Sequence, residues 1–85
     1  MSQQHQEQTE EWTAVRTRIE QIADQTASSG PEEPVNFRTV LDRAYEVSNG
    51  APAAVLTGMV AVMPSPNDGE TRGEYAARLR EAVAR

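Results

Sequence analysis

The sequence predicts an all-α protein, a small bundle of three to four helices behind a disordered N-terminal head. Apolar residues recur at three- and four-residue spacing over most of the 85 residues. Helix-ending and helix-starting residues punctuate these stretches: Ser-Ser-Gly-Pro at 28–31, Asn-Gly at 49–50 and a Thr-x-x-Glu at 71–74. There is no cysteine and one histidine, so neither disulfides nor a zinc site can staple a loop-rich alternative. A chain this short has a core near the lower limit for independent stability, which leaves helix packing and self-association as its means of stabilisation.

The head, residues 1–9, is rich in Gln and has no apolar side chain after Met1, so burial cannot offset the entropy of ordering it. From about residue 10 the pattern changes. Trp12, Val15, Ile19 and Ile22 lie at offsets 0, 3, 7 and 10, an apolar stripe on one face of a helix over about 10–28. Gly30 and Pro31 end it, and the Pro-Glu-Glu-Pro run at 31–34 reads as a linker and hinge. A second helix over about 36–48 begins at Asn36 as N-cap and carries Phe37, Val40, Leu41, Ala44 and Tyr45 on one face. Asn49 and Gly50 suit its C-terminus.

Residues 52–63 are apolar on most sides. Val55, Thr57, Val60 and Val62 would also suit a strand, but a lone strand has no partner in this chain and would strand its backbone polar groups. Helix is therefore predicted, and its uniform apolarity makes it the natural centre of the core. Two prolines and Asn67-Asp68-Gly69 form the next turn. The last helix, about 71–84, opens with Thr71 and Glu74 as a capping box and has Tyr75, Leu79, Ala82 and Val83 on its apolar face. Glu74 to Arg78 and Glu81 to Arg85 have the spacing of ion pairs along one helix face.

Composition excludes most catalytic chemistry. The chain has no lysine and no cysteine, and its one histidine, His5, stands in the head with only Glu7 and Glu10 near it as co-ligands. Asp68, Glu70 and Glu74 lack the alternating acid loop of a calcium hand, and acids at a helix start need no metal to explain them. No phosphate-cradling glycine loop and no serine nucleophile motif is present. Neither an enzyme, a cofactor nor a metal is expected. All eight basic residues are arginine, which with abundant Ala, Val, Gly and Glu is the mark of a GC-rich bacterial or phage coding sequence. The absence of cysteine fits a reducing cytoplasm, and residues 51–63 are too few to span a bilayer.

The expected function is that of a non-enzymatic interaction module, an accessory or regulatory subunit that binds a protein partner or a second copy of itself as a homodimer. Trp12, Val15, Ile19 and Ile22 are the first candidate contacts, an apolar stripe flanked by acids with Trp12 as anchor; Tyr75, Arg78 and Arg80 are the second. The same stripe also serves as ordinary core. A small DNA-associated regulator using Arg72, Arg78, Arg80 and Arg85 is the alternative, disfavoured by the net charge of −5 and by a connection too long for a helix-turn-helix. A third reading is a small-molecule carrier with Phe37, Tyr45, Leu56, Met59 and Met63 around a cavity between helices.

Overall fold

The structure is a computed structural model that describes residues 2–84, with backbone alone for residues 2–10. It is all-α: α1 (Ser2–Ser28), α2 (Phe37–Val47), α3 (Ala53–Val62) and α4 (Arg72–Ala82), with no strand among the described residues. The expected disordered head, residues 1–9, falls where side chains lie outside the described residues, and the helical backbone of α1 continues through it to Ser2.

The caps follow local chemistry. Asn36 accepts the Arg38 N–H at 2.9 Å to open α2. Thr71 and Glu74 form the reciprocal box that opens α4, with Glu74 N–H on Thr71 Oγ1 at 3.1 Å and Thr71 N–H on Glu74 Oε1 at 2.9 Å. Gly50 takes φ +84° in the turn after α2, a conformation that a side chain would strain.

One long helix organises the bundle. At 1.5 Å per residue the 27 residues of α1 span about 40 Å, close to the 44 Å long axis of the molecule. α2, α3 and α4 each pack on α1 and touch one another only marginally. Val15, Ile19, Ile22 and Ala23 of α1 are buried against Val40 of α2, Val55 and Met59 of α3, and Tyr75, Ala76, Leu79 and Val83 at the C-terminal end. Full burial of each Ile contributes roughly 1.5–3 kcal/mol.

Two expectations are overturned here. The apolar segment 52–63 is not the centre of the core: in α3 only Val55 and Met59 are buried, and its outer face is open to solvent. The centre is taken instead by α1, more than twice as long, on which α2, α3 and α4 each pack. Nor is 31–34 a hinge. Val35 N–H donates to Glu70 O at 2.9 Å, Arg72 N–H to Glu33 O at 2.8 Å and Gly73 N–H to Pro31 O at 2.9 Å, so the segment is laced antiparallel to the start of α4. The prolines stiffen the linker, and these hydrogen bonds fix where it lies.

Gly58 sets how closely α3 approaches α1. A Cβ built there would lie 2.9 Å from Val15 Cγ2, and Val15 is both buried and stiff at χ1. Overpacking costs about 1–3 kcal/mol while alanine improves helix propensity by roughly 1 kcal/mol, so Gly58→Ala is expected to lose about 1 kcal/mol net. In a Val15→Ala background the same change should become neutral or stabilising. Urea unfolding of the four proteins in this cycle measures it; additive free energies would show that the contact does not limit helix approach.

Candidate functional site

The apolar face of α2 is wider than α1 can cover. Val40 is buried against α1, while Leu41 and Tyr45, one step further round the helix, stay 45% and 81% exposed. Across from them α3 presents Leu56 and Val60, which are 39% and 71% exposed. Between these rows runs an open groove lined also by Ala44, Ser48, Met59 and Met63, with a volume of about 280 Å³. Ser48 Oγ donates to Tyr45 O at 3.1 Å, so its polar atom turns back on the backbone and the lining remains apolar.

No charged residue lies between Val47 and Asn67. The exposed outer face of α3 continues the neutral surface with Ala53, Thr57 and Ala61. Arg38, Asp42 and Glu46 of α2 are exposed beyond Tyr45 and form a rim of mixed sign. Such a groove offers desolvation and van der Waals contact; its lining carries no carboxylate, imidazole, amine or guanidinium. Four of the five residues considered for a ligand cavity, Tyr45, Leu56, Met59 and Met63, do meet here, whereas Phe37 is half-buried against the core and stands apart.

The residues first expected to touch a partner are placed differently. Val15 is 3% exposed, and Ile19, Ile22 and Tyr75 are fully buried, so contact through them would require opening the bundle. Trp12 is half-buried against the same core. Arg80 pairs with Asp24 of α1. Arg78 does not use Glu74, which is occupied in the α4 cap; its Nη1 donates to Glu70 Oε1 at 2.7 Å and to Ser65 O at 3.2 Å. Arg72 donates to Ser29 O beside Glu33. Arg85, and with it the Glu81 pair, lies outside the described residues, as does the side chain of His5.

Tyr75 and Arg78 instead staple the 63–70 connection onto α4. Tyr75 Oη donates to Pro64 O at 2.6 Å, and Glu70, its side chain 5% exposed, also accepts the Asn67 N–H at 2.9 Å. Glu70→Ala is expected to cost about 1–3 kcal/mol, since it leaves the Asn67 amide and one Arg78 bond unmade; Glu70→Gln should cost less because an acceptor remains. Urea unfolding together with amide exchange at Asn67 measures both, and an unchanged Asn67 exchange rate would contradict the staple.

Among the described residues no three His, Cys, Asp or Glu side chains gather, and no helix is long and apolar enough to cross a membrane. No family model matches the chain, and comparison with curated proteins and with solved structures returns no match.

The signal for the groove was present in the sequence as the charge-free stretch through α3. Uniform apolarity is the same for a central helix and for one that docks against a partner, so that stretch could be recognised without being placed.

Proposed function

We propose that the protein is a non-enzymatic interaction module, an accessory or regulatory subunit working in the cytoplasm, and that it engages a protein partner through the α2–α3 face. The observation that supports this is the exposure of Leu41, Tyr45, Leu56 and Val60 together around a groove whose lining carries no charged side chain. Scattered apolar residues are normal on a soluble protein, but a contiguous patch of large ones is a feature of interaction sites. Tyr45 is the natural anchor, a rigid aromatic that stands clear of its own helix. The pairing of Arg72, Arg78 and Arg80 with carboxylates and carbonyls supports a structural use for these arginines over attachment to phosphates.

The test is site-specific photo-crosslinking in living cells. A photoreactive residue at Tyr45 should give covalent adducts with protein, while one at the exposed Gln21 of α1 should give none. Absence of adducts at Tyr45, or equal labelling at both positions, would overturn the proposal.

A further inference from the structure

We infer that the occupant of the α2–α3 groove is a second copy of this chain, bound about a two-fold axis that passes close to Thr57 of α3. The inference rests on the α2–α3 face being the contact surface and names its partner. The same short helix supplies a groove wall, Leu56 and Val60, and beside it a ridge of small exposed residues, Ala53, Thr57 and Ala61. A two-fold lays the ridge of each copy into the groove of the other, so a single surface satisfies itself twice. Small side chains on the ridge let the two helices approach closely.

Charge favours a like partner. Each copy carries −5, yet the stretch from Val47 to Asn67 has no charged residue, so the centre of the contact brings no like charges together. The rim, Arg38, Asp42 and Glu46, mixes signs, so it presents no single strong potential that would repel a second copy. A groove built for a strongly charged partner would carry a rim of one sign.

Area and burial agree with this occupant. The four large exposed side chains with the small residues of α3 offer a contact smaller than the ~800 Å² per partner of a standard interface, the size of a weak dimer. A helix apolar on all sides is ordinarily buried on all sides, and α3 reaches that state when a second copy covers it.

The experiment uses the full chain. Light scattering at about 100 μM should give twice the 9.3 kDa chain mass and fall toward the monomer on dilution to about 1 μM, the behaviour of a weak dimer. Val60→Glu should be monomeric at the higher concentration with unchanged helical circular dichroism. Because the protein has no cysteine, Thr57→Cys introduces a single thiol and should oxidise rapidly to a disulfide dimer, which Gln21→Cys should not. This second pair decides the matter even if Val60→Glu fails to fold.

A wild-type monomer at the higher concentration overturns the inference, as does a folded Val60→Glu that remains dimeric or Thr57→Cys oxidising no faster than Gln21→Cys. If Tyr45 then crosslinks a different polypeptide, the interaction module stands and self-association falls; if it crosslinks nothing, both fall.

Discussion

Ile19→Ala is expected to destabilise the protein by about 2–5 kcal/mol, comparable to the whole stability of about 3–5 kcal/mol that a single core of this size supplies. Ile19 is fully buried in the single core cluster that α1 forms with residues of the other three helices. Truncation removes its transfer free energy and leaves a cavity that three helices docked on one spine cannot close without shifting α1 itself. Urea unfolding followed by circular dichroism should show the midpoint collapse, with Ile22→Ala close behind. Val60→Ala, on the exposed face of α3, should change stability by less than about 0.5 kcal/mol. A stable Ile19→Ala protein would mean that the stripe of α1 is a free surface after all. The contrast separates residues that hold the fold from those that face a partner.

Tyr75→Ala is expected to be as severe, about 3–5 kcal/mol, because it empties the largest fully buried position of the core. Tyr75→Phe isolates the hydroxyl: it keeps the ring, loses the bond to Pro64 O and should cost about 1 kcal/mol. The phenol also makes stability depend on pH. Burial pushes its pKa from 10.0 up to about 12; the Arg78 guanidinium opposes the rise and the Glu70 carboxylate adds to it. The fold therefore favours the neutral phenol. This contribution is fully present below pH 10 and is lost as pH rises through about 12, when the unfolded chain ionises first. With neither lysine nor cysteine in the chain, tyrosines are the side chains that ordinarily titrate in this window. Thermal melts from neutral pH to about 12 should fall above pH 10, and Tyr75→Phe should flatten that fall. An equal slope in both proteins would show that the phenol does not carry it.

The boundaries of the three short helices were legible because each is written in a few neighbouring residues. Asn36 and the Thr71–Glu74 box cap their helices through bonds spanning two or three positions. Gly50 lies where the chain turns after α2, as its freedom at positive φ requires. The pairing of Arg78 was not legible: the four-residue spacing to Glu74 matched a helix pair, but Glu74 was engaged by the cap and the buried Glu70 lay within reach across the turn. The hinge at 31–34 failed for a similar reason. Its prolines speak of local stiffness, while its partner strand of backbone lies about forty residues away.

The candidate surface divides in the same manner. Periodicity identified the apolar stripe of α1 and the wide face of α2, and composition identified the neutral stretch through α3. By itself, then, the sequence determined an all-α chain, the position of its short helices and the caps that start them, since these depend on contacts within about one turn of helix. Tertiary structure alone decided that α1 is the spine, that Val15, Ile19, Ile22 and Tyr75 are enclosed, and that Leu41, Tyr45, Leu56 and Val60 face outward. Burial is a relation between faces of distant segments, and three short helices around one long one have too little surface to cover every apolar side chain the sequence contains.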